Sequence, residues 1–469
     1  MIEQFSNHNL FKKSLDEFTK SDPHLASLQD CLHVHRSGLE KDIPLATPGI
    51  YILTGGRQVG KTTLLKIIIR RLLWDNNVSP QQIFYLPCDT IDNFQSLLLT
   101  IQEFQEQIDP QKPFFLFLDE VTFVKEWDRA VKSLADGGFF RTGSVLITGS
   151  DSFLLKEAMM RFPGRRGTAD QIDFHLYPLS FFETVSLYEP RLAGHFTEAR
   201  ASFQKNLDLP PSTLLESAPS DMETLYSFWE RYLFTGGFIT AINHYAKEKK
   251  VSKAVYRTYL QWVLGDLAKR GKREESARDL FGALIDRLAS QITWHGLTSS
   301  TTIEHHQTIA DYAALLERMD VLFVLQAFRE DKMRGSPKKA RKVHFFDPFI
   351  FHAIHAWVKY ANDPFALASQ IFEEKGKTLT ALIEGTAAEL ARRRARTFYI
   401  KGETEVDLVL AEKEKFLPIE IKWSPLPKES DLRQLLKYKN GIVATRGRTI
   451  GRINGATILP TPLLALLLA

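Results

Sequence analysis

Cysteine is nearly missing from this chain: Cys31 and Cys88 are the only two among 469 residues. A disulfide scaffold is thereby excluded, and a reducing, cytoplasmic setting is expected. Cys31, His33 and His35 stand at alternate positions, but no partner cluster accompanies them, and no metal site is expected there. Long apolar runs are also lacking. The nearest, "ILPTPLLALLLA" at the C-terminus, is short and broken by two prolines, so it reads as a closing strand or helix and not as a membrane span. The N-terminus shows no basic-then-apolar leader pattern. An excess of one sign of charge is lacking too: a formal net charge of +4 excludes a globally basic nucleic-acid binder and leaves only a local basic surface.

What is present begins with "PGIYILTGGRQVGKTTLLKIIIRRLL", an apolar strand, a glycine-rich turn and an amphipathic helix in succession. Gly55, Gly56, Arg57, Gln58, Val59, Gly60, Lys61 and Thr62 match G-x-x-x-x-G-K-[ST], with Thr63 next, and the flanks supply the strand–loop–helix context that the motif needs. Glycines let backbone N–H groups curl around phosphate oxygens. Lys61 reaches the outer phosphates of ATP, and the Thr62 hydroxyl is a ligand for Mg2+. A second strand ending in acid is then required, and "FFLFLDEV" provides it. Asp119 is expected to orient the magnesium and Glu120 to polarise an attacking water, with a solvated strand-end carboxylate as the plain alternative for Glu120.

Strands at "QIFYLP", "SVLITGS" and "QIDFHLYPL" complete a five-stranded parallel sheet in βα alternation. One of them intervenes between the phosphate loop and the acidic strand, which indicates the ASCE order of P-loop NTPases, with the acidic strand not adjacent to the first. Thr148 and Ser150, at the end of "LITGS", are candidates to sense the γ-phosphate or position water.

Beyond Glu183 the pattern turns helical, with a polar, proline-bearing excursion around residues 205–221. Gly236 and Gly237 read as a helix C-cap and turn. From residue 280 to 346 a winged-helix pattern follows, its two strands "VLFVLQAF" and "KVHFF" joined by "REDKMRGSPKKARK". Lys332, Arg334, Lys338, Lys339, Arg341 and Lys342 would place cations along a phosphate backbone, the expected partner being nucleic acid, DNA first. A solvated mobile hairpin, or a protein-docking lid, has the same sequence pattern.

In "EVDLVLAEKEKFLPIEIKW" two apolar runs flank a charged turn and read as a β-hairpin. A loop centred on Lys413 and Glu414 sets Asp407 opposite Glu420 and Glu405 opposite Lys422, all on one face. Like charges so placed repel, and the pattern calls for a cation or a catalytic reason. An odd-numbered loop would break the match, and an edge hairpin with solvated charges shares the spacing.

Taken in order, "TGGRQVGKTTLL", "LDEVTFVKEWDRAVKSLAD", "LITGSDSFLL", "PGRR" and "YPLSFFE" resemble the prokaryotic AAA-type ATPases that carry a C-terminal domain of unknown function related to PD-(D/E)xK nucleases. The resemblance implies an α/β chain: an N-terminal helical extension (1–45), an ATPase core (46–185), a helical connector or lid (186–279), the winged helix (280–346) and a restriction-endonuclease-like domain (347–469). It implies that Arg165 contacts nucleotide, in cis or from a neighbouring subunit of a homo-oligomer. It also implies that Glu384, Asp407 and Glu420 hold Mg2+ while Lys422 assists phosphodiester cleavage, with Val406 standing where the motif's name has proline. The expected function is ATP hydrolysis controlling a nuclease-like domain; the alternative is a nucleotide switch whose nuclease fold is silent.

Overall fold

A computed structural model describes residues 2–149, 152–160, 164–209, 215 and 218–469. Ser150 and part of the 205–221 excursion lie outside the described residues. The chain divides into two compact units, Met1–Tyr177 and Pro178–Ala469.

In the first unit, β1 (Gly49–Thr54), β2 (Ile83–Pro87), β3 (Phe114–Asp119), β4 (Gly143–Thr148) and β5 (Asp173–His175) form a parallel sheet in the order β2-β3-β4-β1-β5. The acidic strand β3 is separated from β1 by β4, the order expected from the sequence. Alternation explains the layering. Ile50 and Ile52 of β1 point into one core with Leu97, Ile101, Trp127 and Val131, whereas Tyr51 and Leu53 point into another with Leu65, Ile68 and Leu72. Both faces are thus covered, as an all-parallel sheet requires. The N-terminal 1–45 segment packs within this same unit: Ile2 and Phe5 join the first core, Phe11, Phe18 and Leu25 the second.

The second unit opens with helices and contains an eight-stranded mixed sheet. Its strands are β6 (Leu322–Arg329), β7 (Arg334–Phe345), β8 (Arg396–Lys401), β9 (Glu405–Glu412), β10 (Lys415–Lys422), β11 (Ile442–Thr445), β12 (Gly451–Ile453) and β13 (Ala456–Pro460), ordered β12-β13-β11-β10-β9-β8-β6-β7. The hairpin expected as a wing is therefore not set apart. β6 pairs with β8, Ala327 against Tyr399, so β6 and β7 form one end of the same sheet as β9 and β10. Nor is "RGSPKKARK" a free loop, because it lies within β7. The ladder jumps from Gln326–Arg341 to Ala327–Ser336, so residues 337–340 bulge out. Lys338 and Lys339 are exposed on that bulge, along with Lys332 and Arg334 nearby. Arg341 closes it by donating to the Pro337 carbonyl at 3.2 Å and stacks over Trp294. Lys342 is back in the ladder, opposite Leu325, and fully buried.

Gly236 shows why this unit needs glycine at a helix end. It follows the Ala218–Thr235 helix with φ +55°, and a Cβ there would fall 1.8 Å from Asp347 Oδ1. Asp347 receives the N–H groups of Gly237 at 2.8 Å and Phe349 at 2.7 Å. The C-terminal run forms the buried Thr461–Leu468 helix after β13, and Gln204 donates to the carbonyl of Ala469 at 2.6 Å. Among the described residues no helix is long and apolar enough to cross a membrane.

Candidate functional site

The phosphate loop joins β1 to the Lys61–Trp74 helix. Its entry depends on Gly55, whose φ is +149° and whose missing Cβ would lie 2.4 Å from the Leu176 carbonyl. Gly60, at φ +98°, is the N-cap of the helix. The Lys61 side chain folds back over the loop, donating to the carbonyls of Gly55 and Gly56 at 3.0 Å each and lying 3.6 Å from Glu120 Oε1.

Asp119 collects three hydroxyl donors. Thr62 Oγ1 and Tyr85 OH each donate to Oδ2 at 2.7 Å, and Thr148 Oγ1 donates to Oδ1 at 2.5 Å. Thr148 is wholly buried and also accepts from the Glu120 N–H at 2.9 Å. It therefore fixes Asp119 and Glu120 relative to each other. Glu120 occupies the left-handed region at φ 55°, an unfavourable conformation for a non-glycine residue that turns its carboxylate toward Lys61. The sequence reading missed Tyr85. It lies on β2 two residues before Pro87, the partner of Asp119, so a hydroxyl-bearing residue in an otherwise apolar strand beside the acidic one was the available signal. Asn9 clamps its backbone, accepting from the Tyr85 N–H at 2.8 Å and donating to its carbonyl at 2.9 Å. The Lys66 ammonium sits 3.4 Å from the ring centre, and burial, followed by Asp119, raises the phenol above its ordinary range.

These groups match what Mg-ATP demands: a curled loop with a lysine, and a hydroxyl hydrogen-bonded to a strand-end carboxylate. A family model described as "AAA domain" matches residues 47–185. Residues 47–185 are an AAA-type P-loop ATPase domain. A second model, "Domain of unknown function (DUF8612)", matches residues 227–360. An uncharacterized protein of Methanocaldococcus jannaschii is 29% identical over 147 residues, which are 30% of this chain and 29% of that protein. The chain thus aligns with less than a third of that relative's length. Among solved structures, the chain is similar to a Walker-type ATPase of Pyrococcus abyssi (14% identity, TM-score 0.38, 72% of this chain and 96% of that one). It is also similar to the ORC2 protein of Aeropyrum pernix (12% identity, TM-score 0.34, 69% and 91%). Arg165 of the ATPase domain pairs with Asp136, while Arg166 binds Asp173 at 2.7 Å and the Ile172 carbonyl at 3.1 Å, tying the segment to β5.

In the second unit, β9 and β10 pair in the expected register, with Leu408 against Ile419 and Leu410 against Leu417. Asp407 and Glu420 consequently face each other. The Asp407 N–H donates to Glu420 Oε2 at 3.3 Å, and the Ile421 N–H to Asp407 Oδ2 at 2.9 Å. Lys422 reaches Glu420 at 2.5 Å. Burial, reinforced by Asp407, pushes the Glu420 carboxyl up to about 8. Glu384 arrives from the Lys377–Arg392 helix.

The hairpin residues, however, do not present a metal cage. Lys342 Nζ lies 2.7 Å from Glu384, 3.3 Å from Asp407 and against Glu405, with the lysine side chain 0% exposed. Three ammonium protons thus meet three carboxylates. Burial works against the charge of Lys342, but Glu384, Asp407 and Glu405 outweigh it and hold the amine well above its usual range. Among the described residues no group of three or more His, Cys, Asp or Glu side chains is arranged to hold a metal ion. The assignment of Lys342 to an exposed cationic wing is corrected here: alternation along β7 turns it inward, and the acidic cluster retains it.

Proposed function

We propose that the chain is an ATP-driven switch whose output lies in the second unit and whose ligand is nucleic acid. The observation that carries the ATPase half is Asp119, held by Thr62, Tyr85 and Thr148 beside Glu120 and Lys61. On this reading phosphate oxygens replace the Gly55 and Gly56 carbonyls as acceptors for Lys61, and loop N–H groups from Gly55 to Thr63 hold the remaining phosphates. Thr62 and Asp119 hold Mg2+, which neutralises charge on the phosphates. Glu120, fixed by Thr148, orients and polarises the attacking water. Arg165 contacts nucleotide in cis or from a neighbouring subunit of a homo-oligomer.

For the second unit there are two readings: phosphodiester cleavage at Asp407, Glu420 and Lys422 with Glu384, or nucleic-acid binding by a silent nuclease-like hairpin. Lys342 favours the second, since a side-chain cation already stands among Glu384, Glu405 and Asp407. The bulge at residues 337–340, with Lys338 and Lys339 exposed near Lys332 and Arg334, is the surface that supports the nucleic-acid ligand.

The test pairs two assays on the purified full chain. Glu120→Gln is expected to retain ATP binding and lower turnover by about 10²- to 10⁴-fold. Neutralising Lys338 and Lys339 together is expected to reduce the salt slope of duplex-DNA binding by about 2. Unchanged turnover in Glu120→Gln sinks the ATPase assignment, and an unchanged salt slope sinks the bulge as the nucleic-acid surface. Magnesium-dependent cleavage abolished by Asp407→Ala restores the nuclease reading.

A further inference from the structure

Four carboxylates and two lysines meet on one sheet face of the second unit. Glu384, Glu405 and Asp407 surround the Lys342 ammonium, and Lys422 reaches Glu420. The first group is built around its cation. Every proton of Nζ has a carboxylate oxygen to receive it, and the side chain is wholly inaccessible. A hard divalent ion needs several of the same oxygens at about 2.0–2.6 Å. An ammonium within hydrogen-bond distance of all three residues competes for those oxygens and repels a second cation beside it.

A second observation points to the same place from a different residue. His344 follows Lys342 on the same face of β7, is 0% exposed, and has Nε2 3.7 Å from Glu384 Oε1. Neither ring nitrogen makes a hydrogen bond among the described residues. Buried imidazole nitrogens without partners are uncommon and call for an explanation. The ring stacks on Phe323 at 5.4 Å between centroids, which orients it, and Gly385 leaves it room, since a Cβ there would meet Nδ1 at 3.0 Å.

We propose that Lys342 is the resident cation of this cluster, closing to divalent ions a latent metal site formed by Glu384, Glu405, Asp407 and His344. The donor set, three carboxylates and one imidazole, is suited to Mn2+. Lys342 as resident cation presupposes the silent-hairpin reading and gives it a cause: one ammonium stands where a nuclease would hold its metal.

The experiment is Mn2+ binding to the full chain without nucleotide, followed by calorimetry and by the Mn2+ EPR signal. Wild type and Asp407→Asn are expected to bind the same number of Mn2+ ions. Lys342→Met is expected to bind one more. That extra ion should disappear in Lys342→Met/Asp407→Asn and weaken about 10- to 100-fold when His344→Phe is added. A wild-type Mn2+ site that Asp407→Asn removes overturns the proposal, and because it is read without substituting Lys342 it does not depend on how that variant folds. A folded Lys342→Met without an extra site also overturns it. Should Lys342→Met fail to fold, Lys342→Met/Glu405→Gln, with one fewer uncompensated charge, takes its place with the same two outcomes. A wild-type chain that binds Mn2+ at the cluster but cleaves no nucleic acid would end this proposal and leave the silent reading standing; cleavage would end both.

Discussion

Asp119 and Asp407 are both buried carboxylates near strand ends, but their neighbours differ in kind. Asp119 is surrounded by hydroxyls, from Thr62, Tyr85 and Thr148. Asp407 faces the Lys342 ammonium, with Lys422 close by on Glu420. Hydroxyls satisfy a carboxylate without cancelling its charge, so the first site keeps its attraction for a cation. An ammonium offsets it. Two motifs that look alike in sequence, each an apolar strand carrying acid, therefore differ in their surroundings: hydroxyls leave the charge of Asp119 in place, whereas an ammonium offsets part of the charge around Asp407.

The most severe way to break this contrast is to remove the ammonium. Lys342→Met takes the one cation out of the cluster of Glu384, Glu405 and Asp407, and the full chain is expected to lose about 3–5 kcal/mol in the urea-unfolding transition of the second unit. Asp407→Asn on that background should recover part of the loss, because it removes one of the repelling charges. A smaller effect is expected from Tyr85→Phe, which deletes one of three donors to Asp119 and should cost about 1.5 kcal/mol in the first unit's unfolding transition. The remaining two hydroxyls still hold Asp119, so ATP turnover should drop severalfold without being abolished. Loss of all turnover would show that Tyr85 acts on the reaction directly.

The contrast can be sharpened with pH. Glu420 titrates near 8 in the folded chain against about 4.3 when unfolded. Between those values the folded state holds the extra proton, so this contribution to stability is fully present below the lower value and is lost as pH rises to about 8. The slope is at most ~1.4 kcal/mol per pH unit. Glu420→Gln should flatten the decline in thermal midpoint across that window, and an unchanged profile would mean that Glu420 is ionised throughout.

Much of the first unit was legible because its signals are local. The loop from Gly55 to Thr62, the acid at the end of β3 and the βα alternation each occupy a few consecutive residues, and backbone sterics allow them one arrangement. The hairpin was legible for the same reason: a short turn at Lys413 and Glu414 sets the β9–β10 register. The wing failed where local signals end. Six cations between two strands look like a solvated loop, but a four-residue bulge lets Arg334–Phe345 run as one strand, leaving Lys338 and Lys339 outside and turning Lys342 inward. Tyr85 and Asn9 were missed because their partners lie 34 and 76 residues away.

By itself the sequence determined the phosphate-binding loop, the parallel order of the first sheet and the hairpin that carries Asp407 and Glu420, all consequences of short-range geometry. Only the tertiary structure decided what stands beside each carboxylate. Lys342 is 42 residues from Glu384 and 65 from Asp407, and β6 and β7 had to join the same sheet as β9 before the ammonium could enter the cluster. Electrostatic state depends on distances of a few ångströms between groups far apart in the chain, and folding alone sets those distances.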